Sequence, residues 1–461
     1  MTLFERVSRH AAAWLLLLAP PAFGADAEAL LRQGRVVEAL DVAAQAIAER
    51  PDDVRAQELA IDVFLSLGQV ERAVTHARSR VTAAPTSADS HYLVGRAEVD
   101  LERSRSAYRK ALALDPDHAR AHMGLGSLDE AAGNLDAART AYTRATQGDP
   151  QLAEAWMGLA RTHLAAGRSA EARTAARTGF DRTQSSDLAL VLATLDPEEA
   201  RRVLSEALAA SGSSLPLHVA LARAGLLEGD ARLAEDQAQK ALVLDVRSFE
   251  ARSAFHLARE LRRGLVDRAT LALVLGATPG DAAARKRLDG AVAKAPKSAM
   301  VRYTRAVARQ AARDARFVDD LEAALPLDAT NDLVAAAVGS ARLAQGRAAA
   351  AIEPLASAVS ARPWDRDLSL GLARALREAG HKGDAVQLLA RVASANPQHA
   401  DSQLLYAQTL LDVGKPVEAY AVARVAMQTT GDPRLVAAFV RIAPLAGRPG
   451  EAATVLAPIA E

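Results

Sequence analysis

The stretch AGNLDAARTAYTRATQGDP, residues 132–150, decides how this chain is read. Its second residue, Gly133, is followed by a polar residue, and the stretch then runs through an Ala-rich amphipathic segment and stops at Asp-Pro. Glycine accepts a left-handed backbone without steric cost and so ends one helix, while proline cannot continue a second. The same punctuation recurs at Gly34, Gly68, Gly167, Gly229, Gly346, Gly380, Gly414 and Gly447. Gly133 to Gly167, Gly346 to Gly380 and Gly380 to Gly414 each span 34 residues, and so do Pro51 to Pro85, Pro116 to Pro150 and Pro363 to Pro397. Residues 132–150 are therefore half of a repeating unit, and each unit is a helical hairpin. Five residues after each marker glycine stands an alanine, from Ala39 and Ala73 through Ala138 to Ala419 and Ala452. That is where two antiparallel helices approach most closely, and a larger side chain there would force them apart.

Composition agrees with a helical array. Half of the 461 residues are hydrophobic, yet only 4% are aromatic, and a chain so rich in Ala, Leu and Arg favours helix nearly everywhere. No sustained run of alternating β-branched residues bounded by turns argues for a sheet. The fold class is all-α. Lys plus Arg and Asp plus Glu number 56 each, so no global field draws the chain to nucleic acid or anionic lipid.

The N-terminus reads MTLFERVSRHAAAWLLLLAPPAFGADA, with Arg6 and Arg9 ahead of a short apolar run and small residues around Gly24. The pattern predicts a signal peptide over residues 1–24, cleaved after Gly24, and a periplasmic or secreted mature chain. No other stretch is apolar enough to cross a membrane. With no cysteine, the chain has neither disulfides nor a thiol nucleophile.

The unit ARAHMGLGSLDEAAGNLDAARTAYTRATQGDP, residues 119–150, resembles the tetratricopeptide repeat family. His122 stands at the first aromatic place, and Leu125-Gly126, Ala138, Tyr142, Ala145 and Pro150 follow in order. The next unit continues with Trp156, Leu159-Ala160, His163, Gly167 and Ala172. The resemblance implies a right-handed α-solenoid superhelix of antiparallel hairpins, with an N-terminal array over 25–185, degenerate helical pairs over 186–330 and a C-terminal array over 331–461. Between Pro85 and Pro116 the unit is three residues short and lacks its glycine, which predicts a tighter turn after YLVGRAEVD. From Gly229 to Gly346 is 117 residues, three periods with 15 left over, so 248–330 is expected to contain an irregular loop at GATPGD.

The family resemblance further implies that the first helices of successive units line an inner surface for partners, through positions 2, 5, 9, 12 and 13. Position 9 carries Arg96, Arg161, Arg223, Arg374 and Arg441, and also Arg259 if its helix is registered on Leu257-Ala258. A row of guanidiniums at one groove position is suited to an extended acidic segment or an anionic glycan, held by bidentate contacts. Position 5 carries Tyr92, Met123 and Met157, which either line that groove or pack as core. The chaperone-tail clamp of some relatives uses Lys at position 5 and Asn at position 9, and this sequence has neither.

Chemistry is sparse. His118 and His122 stand at i,i+4 without the Glu of a metalloprotease helix, no phosphate-binding loop follows a strand, and no nucleophile elbow is present. No cofactor or metal is expected. The expectation is a non-enzymatic scaffold of the bacterial cell envelope that binds protein partners. Its alternatives are an accessory of exopolysaccharide assembly or export, and a spacer docking or self-associating through the apolar Val455, Leu456, Pro458 and Ile459.

Overall fold

The computed structural model describes residue 30 and residues 35–278 and 280–460. Among them stand 26 α-helices, one short 3-10 turn and no strand, arranged as successive antiparallel hairpins. The chain is an all-α solenoid. The expected leader over 1–24, Gly34 and the side chains of Leu456, Pro458 and Ile459 lie outside the described residues.

The helices belong to two compact units that divide at Ala224 and Gly225. In the first unit, first and second helices alternate. They are α1 (Val36–Glu49), α2 (Val54–Ser66) with α3 (Val70–Ala83), α4 (Ala88–Ala97) with α5 (Leu101–Leu114), and α6 (Ala119–Ala131) with α7 (Leu135–Gly148). Next come α8 (Ala153–Ala165) with α9 (Ser169–Thr183) and α10 (Ser186–Leu195) with α11 (Ala200–Ser211); α12 (Leu215–Glu228) contains the division. The second unit continues with α13 (Ala231–Leu244), α14 (Phe249–Arg262), α15 (Arg268–Leu275), α16 (Ala282–Lys294), α17 (Ala299–Ala311) and α18 (Phe317–Ala324). It ends in four regular hairpins: α19 (Asp332–Ala344) with α20 (Ala348–Ala361), α21 (Arg366–Glu378) with α22 (Lys382–Ala395), α23 (Ala400–Asp412) with α24 (Pro416–Thr430), and α25 (Pro433–Leu445) with α26 (Pro449–Ala460).

Local chemistry explains the boundaries. Side chains of Asp53, Ser87, Ser248, Ser298, Asn331 and Asp365 accept backbone N–H groups at the starts of first helices. The marker glycines hold the left-handed turn between helices, with φ of +68° at Gly68, +78° at Gly133 and +74° at Gly167. Arg313 adopts the same conformation at φ +58°, so the turn after α17 forms without glycine. The spaced alanines are buried in every case, from 0% exposure at Ala39, Ala138 and Ala419 to 5% at Ala452.

A further device fixes the register. The fourth residue of a first helix donates to the carbonyl six residues earlier: Gln57 to Pro51 at 2.6 Å, His91 to Pro85 at 2.9 Å, His122 to Pro116 at 2.8 Å and Trp156 to Pro150 at 3.0 Å. Arg252 to Val246 at 2.7 Å and Arg302 to Pro296 at 3.1 Å do the same in the second unit. In these six helices the fourth place carries a side-chain N–H donor, and His, Gln and Arg serve there as well as Trp.

Two irregularities have plain causes. Helix α4 has 10 residues, and Glu98 leaves it in an extended conformation, which is how this unit turns without glycine. In the second unit the first helices α14 and α17 begin 50 residues apart, at Phe249 and Ala299. The surplus over one period is the eight-residue α15 and the loop behind it, so the expected irregular loop at GATPGD follows an inserted short helix.

Aromatic wedges hold neighbouring hairpins together. The Tyr108 ring of α5 lies against Gly95 of its own first helix and Gly124 of the next, and Tyr142 of α7 repeats this with Gly126 and Gly158. A Cβ on Gly95 would stand 2.6 Å from the Tyr108 ring, so hydrogen is the only side chain that fits.

Candidate partner-binding face

Within each unit the first helices touch the first helices of neighbouring pairs, as α2 with α4, α4 with α6, α6 with α8 and α8 with α10. Second helices of neighbouring pairs approach one another less closely. Each unit therefore curves with its first helices on the tighter side.

In the first unit, positions 2, 5, 9 and 12 of these helices form stripes at i, i+3, i+7 and i+10. They read Arg55, Glu58, Asp62 and Leu65 on α2, then Asp89, Tyr92, Arg96 and Val99 at α4. On α6 they are Arg120, Met123, Ser127 and Glu130, and on α8 Glu154, Met157, Arg161 and Leu164. The charges on the stripes are joined across the repeats. Arg96 forks onto Asp62 at 2.9 and 2.7 Å. Arg120 reaches over the intervening helix to Glu58 at 3.0 and 2.7 Å, and Arg161 forks onto Glu130 at 3.0 and 2.8 Å. His118, which caps α6, meets Asp89 at 2.9 Å. In all four pairs the basic side chain belongs to a later repeat than the acid.

Two tyrosines complete the ladder. Tyr92 donates its hydroxyl to Glu58, and Tyr142 donates to Glu130 at 2.7 Å. Burial pushes the Tyr108 phenol up to about 12 and raises Tyr92 and Tyr142 as well, so all three stay neutral. Burial also opposes the charge on Glu130, but the hydrogen bonds from Arg161 and Tyr142 outweigh it and hold the carboxyl below its ordinary value. The hydrogen bond from His118 lowers Asp89 in the same sense.

Glu154 differs from every other acid on this face. Its Oε2 is buried and has no hydrogen-bond partner. Burial, the largest influence on it, raises its carboxyl above the ordinary value despite the nearby charge of Arg120.

The structure places the groove residues expected from sequence as follows. Arg96 and Arg161 are engaged in the ladder. Tyr92 is fully buried and belongs to the core. Met123 and Met157 are partly exposed beside the ladder, and Leu164 is 39% exposed at the end of α8. Arg223, Arg374 and Arg441 are exposed. Arg259 stands elsewhere in the register: α14 begins at Phe249 behind its Ser248 cap, so Leu257 holds position 9 and Arg259 comes two residues later, stacked over Phe255 at 5.7 Å.

The second unit buries a charged cluster that sequence reasoning missed. Asp332 at the start of α19 receives His256 of α14 at 2.8 Å, with Arg252 at 3.4 Å and Arg362 at 3.1 Å. Arg252 also stands 5.5 Å over the Trp364 ring. Burial disfavours the Asp332 charge, but His256, Arg252 and Arg362 together hold it below the ordinary carboxylate range.

Among the described residues no helix is long and apolar enough to cross a membrane, and no group of three or more His, Cys, Asp or Glu is placed to hold a metal ion.

Comparisons with known proteins agree with this architecture. One family model described as tetratricopeptide repeat matches residues 129–195 and 342–409, and a second with the same description matches 25–88 and 96–153. No curated protein sequence matches the chain. Among solved structures, the chain is similar to TTC0263, a thermophilic TPR protein of Thermus thermophilus, at 23% identity over 37% of this chain and 94% of that one, with a TM-score of 0.31. It is similar to Pseudomonas aeruginosa PilF at 20% identity over 43% of this chain and 94% of that one, with a TM-score of 0.35. The APC/C hetero-tetramer Cut9-Hcn1 matches at 15% identity over 93% of this chain and 91% of that one, with a TM-score of 0.31.

Proposed function

Since the chain belongs to the tetratricopeptide repeat family, we propose that it is a non-enzymatic scaffold of the bacterial cell envelope that holds protein partners along its first-helix face. The observation that carries this reading is the first unit's inner stripe. Its basic groups at positions 2 and 9 of α4, α6 and α8 are neutralised internally, while Met123, Met157 and Leu164 keep apolar surface beside them. Flexible thioethers next to satisfied ion pairs suit an apolar helix or extended segment of a partner. An anionic glycan is disfavoured here, because Arg96 and Arg161 already hold carboxylates.

The envelope location rests on residues 1–24, whose charge, apolar run and small-residue site fit an export signal. The test is crosslinking of the tagged protein in its native cells, followed by fractionation and identification of the captured proteins. The reading predicts a mature chain starting at Ala25 in the envelope fraction, joined to an envelope protein. An intact Met1 in a cytosolic fraction would overturn the location, and absence of any protein adduct would overturn the scaffold reading.

A further inference from the structure

We infer that Glu154 is the receptor for a basic side chain of the partner, Lys or Arg, seated on the Met157 side of the first unit's inner face. This rests on the scaffold reading above and names the chemistry of its ligand.

Glu154 interrupts a pattern. Asp62, Glu58, Asp89 and Glu130 are each met by a basic side chain from a later repeat. The next first helix, α10, SDLALVLATL, contains no Lys, Arg or His. Arg120 is near enough to be felt by Glu154, yet both of its carboxylate hydrogen bonds go to Glu58. One guanidinium thus faces two acids, and the ladder ends with a carboxyl whose Oε2 lacks any donor.

A carboxylate held in a protein wall without a donor is costly, and a cation brought by a ligand removes that cost at the moment of binding. Glu154 is only partly buried as a residue and lies one turn from Met157 on the same stripe. A Lys or Arg would lay its methylene stem along Met157 and place its charged end on the carboxyl. The energetic preference is for the cation, because a neutral donor could satisfy Oε2 but would leave the charge uncompensated.

The experiment places a photocrosslinking amino acid at Met157 in the full-length chain, in native cells, and sequences the partner peptide joined to it. It is repeated with Glu154→Gln and Glu154→Lys. The inference predicts adducts whose sequences carry Lys or Arg within a few residues of the joined site. It also predicts capture reduced about tenfold by Glu154→Gln, as for loss of one desolvated ion pair, and capture abolished by Glu154→Lys. Glu154→Gln should retain the wild-type circular dichroism melt, since no other residue donates a hydrogen bond to Oε2. Adducts of unchanged yield in Glu154→Gln, or with no basic residue near the joined site, would overturn this inference and leave the scaffold intact. No protein adduct at all would overturn both. If Glu154→Gln lowers the melting temperature, Glu154 is a structural group and the inference fails.

Discussion

Arg120→Met is the sharpest test of whether the inner-face arginines hold the solenoid together. Arg120 and Glu58 lie 62 residues apart in sequence, with side chains 12% and 10% exposed, and they share two hydrogen bonds. Removing the guanidinium leaves Glu58 buried with only the Tyr92 hydroxyl as a donor. Breaking one partner of such a buried pair costs about 3–5 kcal/mol, whereas replacing both by apolar groups is often close to neutral. The single variant should therefore lower the melting transition of the first unit by roughly 6–20 °C, taking 2–4 °C per kcal/mol for a body of this size. Arg120→Met combined with Glu58→Leu should recover part of that loss, the remainder being the Tyr92 hydroxyl left without its acceptor. Circular dichroism melts and urea titrations of the four proteins give the coupling directly. A single variant within about 0.5 kcal/mol of wild type, the ordinary range for surface changes, would refute the claim that this arginine is structural.

Other expectations follow from single contacts. Gly95→Ala should destabilise by about 1–3 kcal/mol through overpacking against the Tyr108 ring, and recovery is expected when Tyr108→Leu is added; equal melts for wild type and Gly95→Ala would contradict the wedge. Gly133→Val should cost about 1 kcal/mol or more, because a β-branched residue is strained at φ +78°; an unchanged melt would contradict the turn. His122→Phe should cost about 1 kcal/mol by leaving the Pro116 carbonyl unpaired, while His122→Gln should cost less; equal losses in a urea titration would argue that the ring matters and the donor does not. For Asp332 the folded-state pKa is lowered, so its contribution is complete above the ordinary carboxylate range and is lost as pH falls through the lowered value. The stability gap between wild type and Asp332→Asn should be full at about pH 6 and close below about pH 4; a gap that is constant with pH would refute the cluster.

The repeat was legible because its signals are local. Gly133 and Ala138 announce a turn and a close approach within one hairpin, and the structure gives both. The pairing of the arginines was not legible, since Arg161 finds Glu130 and Arg120 finds Glu58 only after the solenoid has stacked the helices side by side. Read as a row, Arg96 and Arg161 suggest capture of an external anion; in the structure their carboxylates come from the preceding repeat. The displacement of Arg259 has a different cause. Its Leu257-Ala258 pair, which resembles Leu159-Ala160, stands two places later in its helix, and only the Ser248 cap and the Arg252 bond to Val246 reveal where that helix begins. The back-bond at position 4 was in principle readable, because Gln57, His91, His122, Trp156, Arg252 and Arg302 share nothing except a side-chain N–H.

The central claim is that partners are held on the first-helix face. The most direct measurement compares photocrosslinking from Met123 and Met157 on that face with photocrosslinking from Lys110 and Thr140, which are exposed on second helices. The account predicts that one and the same partner protein is joined at Met123 and Met157 and at neither second-helix position. Capture of that partner from Lys110 or Thr140, with none from the two methionines, would contradict it.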